Sequence, residues 1–215
     1  NRQNNRNLEP NSTMTTKQTI DFYFDLTSPY SYVAAEQIEE IAAAGQRTVN
    51  YKPTLLGFVF KTTGNTPPMM NPAKGKYSAK DFARTARFHG LQINWPKKFP
   101  INPTTASRAI LQVLNTQPEK AGEMTRALYK AYFVNGQDIT EDSTVQVIAD
   151  SIGLDGAAVV AAAQTDAVKE QMKAAVQESI DAGMFGAPYF VVDGEAFWGQ
   201  DRMEQLRRWV VQGPF

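Results

Sequence analysis

The four residues Ser28-Pro29-Tyr30-Ser31 stand where an alternating apolar stretch gives way to an amphipathic one, and they are the first place in this chain where chemistry could be done. A hydroxyl at a strand-to-helix junction lies among unpaired N–H groups and at the positive end of a helix dipole. Ser28 can serve there simply as the helix cap, or the junction can hold an anion or a thiolate. A nucleophilic serine would need a base, and His89 is the only histidine. Nothing in the sequence brings His89 near, so a hydrogen-bond donor is the better role for Ser28. A second cluster, Gly186-Ala187-Pro188, precedes a strand pattern. Either the proline is merely tolerated at a strand's first position, or a cis Ala187–Pro188 bond offers the Ala187 backbone to an extended ligand. A third, Gly199-Gln200-Asp201-Arg202, opens the last helical pattern. Asp201 is there an N-cap or first-turn acid, or it accepts a ligand ammonium while Gln200 and the helix end bind a carboxylate.

Charge adds a fourth feature. Eight basic residues, Lys74, Lys76, Lys80, Arg84, Arg87, Lys97, Lys98 and Arg108, fall in a segment whose one acid is Asp81. They form a solvated helix face, or they draw a small anion into a cleft. His89, beside Gly90 at a predicted helix end, is expected to cap carbonyls with its ring.

Absences narrow the chemistry further. The 215 residues include no cysteine, which excludes disulfides, thiolate metal sites, a cysteine nucleophile and a dithiol redox cycle. One histidine rules out a multi-histidine metal site, and no metal is expected. Lys+Arg 22 against Asp+Glu 22 gives no net charge, so neither nucleic acid nor an anionic membrane is an expected partner. The longest purely apolar run, 157–163, is far below the roughly 20 residues of a membrane span. With no apolar signal core near the start, a cytoplasmic location is expected. An apolar fraction of 42% with 11% aromatics describes a globular chain.

These clusters need elements to position them. Residues 1–18 read as a disordered tail, with Met14 a native start. Ile20, Phe22, Phe24 and Leu26 alternate as in a strand. Ser28 as cap, Pro29 at the first helical position and Gly45 past the end mark one helix through 32–44. A strand over 48–51 stops at Pro53, and 57–73 reads as a loop. Helical patterns follow over 78–89, 104–115, 119–134, 141–152, 156–163 and 166–182. Strands return over 189–192 and 195–198 around an Asp193-Gly194 hairpin turn, and a helix over 201–211 closes the chain. Strands at both ends imply one sheet built from 19–56 and 183–215, with 57–182 inserted as a helical domain and a cleft where the two meet.

Taken together, these segments resemble a known family. Phe24-Asp25-Leu26-Thr27-Ser28-Pro29-Tyr30-Ser31-Tyr32, Gly64-Asn65-Thr66-Pro67-Pro68, Ala73-Lys74-Gly75 with Tyr77, Phe185-Gly186-Ala187-Pro188 and Trp198-Gly199-Gln200-Asp201-Arg202 occur in the order found in kappa-class glutathione transferases and bacterial 2-hydroxychromene-2-carboxylate isomerases. The overall look is nearer the isomerases. The resemblance implies an α/β thioredoxin fold with a DsbA-like helical insertion. Ser28 and Ser31 would stand where thiol oxidoreductases of that fold carry their two cysteines, so glutathione would supply the thiol. It further implies that Ser28 contacts the sulfur and that Ala187, ahead of a cis Pro188, pairs with the cysteinyl backbone. Asn65 and Lys74 would hold the glycine end or a nearby carboxylate. Gln200 with Asp201 would hold the γ-glutamyl head, Gln200 replacing the serine of kappa transferases, and Arg202 is a further glutathione-binding residue. Asn102 would line the substrate wall. The implied activity is glutathione-dependent cis–trans isomerisation of 2-hydroxychromene-2-carboxylate or a similar small anionic aromatic, in a homodimer. A kappa-type transferase or peroxidase, and a non-catalytic glutathione-binding module, are the alternatives.

Overall fold

The alternating residues Ile20, Phe22 and Phe24 build β1 (Thr19–Phe24) in the computed structural model, which describes residues 18–215. Apart from Gln18, the tail expected over 1–18 lies outside the described residues, as does Met14. β1 is an inner strand of a four-stranded sheet of order β2-β1-β3-β4. β2 (Thr48–Pro53) lies parallel to it, β3 (Tyr189–Val192) antiparallel, and β4 (Glu195–Trp198) pairs antiparallel with β3. The register sets Phe22 opposite both Tyr51 and Phe190, and the Phe22 and Phe190 rings stack with centroids 5.2 Å apart. The hairpin turn forms where the sequence puts it: Asp193 and Gly194 both take positive φ, 54° and 82°.

Two local readings need correction. The helix read through 32–44 is two helices, α1 (Pro29–Ala35) and α2 (Ile38–Ala44). Gln37 makes the break: its N–H bonds to Ala34 O, one residue short of helical spacing. Its side-chain amide takes the Val33 carbonyl that its backbone leaves. The loop read from residue 57 is instead a helix, α3 (Leu56–Thr63). Gly57 sits in its first turn, where few intrahelical bonds are at stake, and Gly64 (φ 73°) is its left-handed stop rather than a loop marker.

α4 (Pro72–Phe88) starts earlier than expected because Asn71 caps it, accepting from Lys74 N at 3.1 Å, with Pro72 next. α5 (Thr104–Thr116), α6 (Ala121–Phe133), α7 (Asp142–Ser151), α8 (Gly156–Ala163) and α9 (Asp166–Asp181) complete the block between β2 and β3. A 3-10 turn, Gln200–Arg202, leads into α10 (Met203–Gln212). This is a thioredoxin fold with a DsbA-like helical insertion. Most of the insertion's core is shared with the sheet; a small cluster of Leu111, Val168 and Met172, with Leu55, stands apart. Ile20, Phe22, Phe24 and Phe190 of the sheet share one buried cluster with Ile110, Met124, Tyr129 and Phe133 of the insertion. Tyr23 points the other way, into a small cluster with Met184 and Tyr189.

Candidate functional site

Past β1 the chain turns through Asp25, Leu26 and Thr27 and delivers Ser28 to the start of α1. Ser28 Oγ accepts from Ser31 N at 3.1 Å, which makes it the cap. The same hydroxyl donates its proton to Ala187 O, also at 3.1 Å. The capping role is thus filled through the lone pair, while the proton of the same group is engaged by a backbone carbonyl. The Ala187–Pro188 bond is cis, and Ala187 N–H has no acceptor among the described residues. Pro188 O accepts from Gly199 N at 2.9 Å, joining this loop to the one after β4. Gly186 lets the Trp198 indole close over it: a Cβ there would lie 2.7 Å from the indole Nε1 and force the ring to shift. Ser31 is fully buried, and its Oγ has no partner among the described residues.

Sequence reasoning missed the residue that fixes this turn. Asp25 is buried, and its carboxylate accepts from Thr27 N at 2.6 Å, Thr27 Oγ1 at 2.5 Å and Leu56 N at 2.6 Å. Its backbone carbonyl accepts from Ser28 N at 3.0 Å and from the Tyr129 hydroxyl at 2.8 Å. Burial pushes the Asp25 carboxyl above the usual carboxylate range, and the three donated hydrogen bonds pull against that rise. The spacing Asp25-x-Thr27, an acid two residues before a hydroxyl, was the available signal.

The other candidates divide into those joined to Ser28 and those apart from it. Asn65 Nδ2 donates to Phe185 O at 2.9 Å, which brings Asn65 to the Ala187 loop. Gln200, Asp201 and Arg202 form the 3-10 turn directly after Gly199, and Asp201 pairs with Arg202 at 3.0 Å. Asp201 does not cap α10, whose N-cap position is Arg202. Lys74 is exposed in the first turn of α4, with no ion pair among the described residues. Asn102 is exposed and accepts from the Thr104 hydroxyl, with no hydrogen bond to Ser28 or its partners.

His89 departs from expectation. It closes α4 through its backbone N–H, while its ring Nε2 lies 2.6 Å from Gln200 Nε2 rather than on α4 carbonyls. Tyr30, two residues after Ser28, donates to Asp81, which also pairs with Arg84. Burial, then that carboxylate, holds the Tyr30 proton in place by raising the phenol's pKa. An aromatic run, Tyr30 on Phe82, Phe82 on Trp95 and Trp95 on Phe99, leads from α1 to the loop that carries Asn102. In the basic segment only Arg84 and Lys98 have ion-pair partners among the described residues, and Arg108 Nε is buried without a partner.

The sheet, the inserted helices and the cis-proline loop together fall within one family model, the DSBA-like thioredoxin domain, which matches residues 19–210. The chain belongs to that family. Among curated relatives it is 28% identical over 201 residues to glutathione S-transferase kappa 1 of Homo sapiens, covering 88% of this chain and 89% of that protein. It is 26% identical over 196 residues to the 2-hydroxychromene-2-carboxylate isomerase of Sphingobium xenophagum, covering 90% and 98%. A solved 2-hydroxychromene-2-carboxylate isomerase superposes with a TM-score of 0.80 at 23% identity, over 87% of this chain and 92% of that one. These relatives carry the names of enzymes, a transferase and an isomerase. Among the described residues no group of three or more His, Asp or Glu side chains is placed to hold a metal, and no helix is long and apolar enough to cross a membrane.

Proposed function

We propose that this chain is a glutathione-dependent isomerase, converting 2-hydroxychromene-2-carboxylate or a similar aromatic-degradation intermediate between its cis and trans forms. The observation that carries the reading is the Ser28 hydroxyl, buried at the α1 cap and 3.1 Å from the carbonyl before cis Pro188, in a chain without cysteine. These residues suit a thiol peptide. A proton donor, a backbone N–H without an acceptor and a backbone carbonyl lie side by side, and Lys74 is a cation without an ion pair among the described residues. When bound, glutathione would supply the thiolate that adds to the conjugated substrate, frees a double bond to rotate and leaves again.

The chain's own groups divide the remaining work. Ser28 O–H is the donor for the sulfur, and the Tyr30 N–H, the one first-turn N–H of α1 without an acceptor among the described residues, adds to it. Ala187 C=O, which now accepts that hydroxyl proton, would take a ligand N–H instead and release Ser28 to the thiolate. Recognition of the peptide backbone and activation of its thiol are then one exchange of partners. Asn65 and Lys74 serve the glycine end, and Gln200, Asp201 and Arg202 the γ-glutamyl end. Lys74 also offsets the substrate carboxylate. The aromatic run from Tyr30 to Phe99, with Asn102 beyond it, is assigned to the substrate's planar face. A cytoplasmic homodimer is part of the same proposal.

The test is a chromene-carboxylate isomerisation assay run with glutathione far below the substrate concentration. We expect conversion to the equilibrium mixture of isomers with all the thiol recovered. Stoichiometric loss of glutathione would assign the kappa-type transferase or peroxidase reading instead, and conversion at an unchanged rate without glutathione would overturn both.

A further inference from the structure

The single imidazole of the chain faces an amide nitrogen. His89 Nε2 lies 2.6 Å from Gln200 Nε2, across 111 residues of sequence. An amide nitrogen donates and does not accept, so the imidazole nitrogen opposite it has to offer its lone pair, and the ring proton resides on Nδ1. With its NH2 group held in this way, the Gln200 amide has one orientation, and its Oε1 is turned away from His89. Gln200 shares its 3-10 turn with Asp201, whose side chain is exposed. Two acceptor groups, one neutral and one anionic, therefore stand on adjacent residues. Gln200 is then an acceptor rather than the donor to a carboxylate that its position before Asp201 suggested.

We propose that His89 is a positioning residue: it locks the Gln200 amide so that Gln200 Oε1, on the residue before Asp201, accepts a primary ammonium group of the ligand. The inference rests on the glutathione reading above, where that ammonium is the γ-glutamyl amine. His89 touches neither sulfur nor substrate and acts through Gln200. Gln200 reaches the imidazole across the fold, and the pair forms one element that sets specificity.

Calorimetry on the full chain tests this with two peptides, glutathione and its des-amino analogue, in which hydrogen replaces the amine. His89→Leu is expected to weaken glutathione about tenfold, the scale of one hydrogen bond, while changing the des-amino peptide less than about twofold. His89→Gln keeps an acceptor for the Gln200 N–H and is expected to restore glutathione affinity to within about threefold, which guards against a folding defect. In a Gln200→Leu background, His89→Leu is expected to add nothing. Equal losses for both peptides, no loss for either, or additive losses in the double variant would overturn the proposal and leave the glutathione site standing. If the wild-type chain binds no glutathione, the site reading falls first and this inference with it.

Discussion

Ser28 is engaged at both ends of its chemistry before any ligand arrives, accepting at the helix start and donating to Ala187. The serine itself was legible, because a hydroxyl followed by proline marks a helix entrance. Its second partner was not, because 159 residues separate the two. Asp25 is the opposite case: its partners Thr27 and Leu56 are nearer in sequence, yet an acid after a strand reads as ordinary turn chemistry until its burial is known. Asp25→Ala leaves the N–H groups of Thr27 and Leu56 without acceptors in a buried turn. We expect a loss of about 1–3 kcal/mol in urea unfolding, from two unsatisfied donors on half-buried residues. A loss below about 1 kcal/mol would mean that water replaces the carboxylate and that the turn does not depend on it.

At the scale of elements, most strand and helix types followed from periodicity. The starts of α8 and α9 agreed with their local caps, whereas the Asn71 cap of α4 lay in a stretch that read as loop. The exceptions have physical causes. Gly57 and Gly64 looked like loop punctuation, but one occupies a first turn and the other a C-terminal stop, so α3 fits between them. Gln37 breaks a continuous helical pattern by using its side chain where its backbone would have bonded. The connections around the insertion are fixed by pairs that no local pattern reveals. Asp138, between α6 and α7, accepts from Lys98 Nζ at 2.6 Å and from both the N–H and the hydroxyl of Thr140. Lys98, then Thr140, hold its carboxyl down at about 2. A carboxyl depressed in the folded state adds stability above its unfolded pKa, and that contribution is lost as pH falls toward the folded value. The loss attributable to Asp138 therefore begins near pH 5 and is complete only below the folded value, by about pH 1. Unfolding followed from pH 5 downward is expected to show a shallower decline for Asp138→Asn than for wild type, and identical slopes would remove the pair from this role.

For the whole molecule, the order of elements carried most of the fold: strands at both ends and helices between them leave few ways to close one sheet. What order could not tell is that insertion and sheet share one core, with Tyr129 of α6 bonded to the carbonyl of Asp25 behind Ser28. The site stands on that joint. Elements from both termini and from the insertion meet at Ser28, Ala187, Gln200 and His89, and each of those contacts spans more than a hundred residues. The central claim is that the Ser28 hydroxyl, released from Ala187, holds a glutathione thiolate ionised. Its most direct measurement is the ultraviolet thiolate absorbance of glutathione bound to the full chain, titrated with pH in wild type and in Ser28→Ala. The wild-type midpoint is expected near neutrality, below the roughly 8.5 of a free thiol. Ser28→Ala should raise that midpoint by about 1–2 units, the equivalent of one hydrogen bond to a charged group. Bound glutathione that titrates at the same midpoint in both proteins would contradict the account.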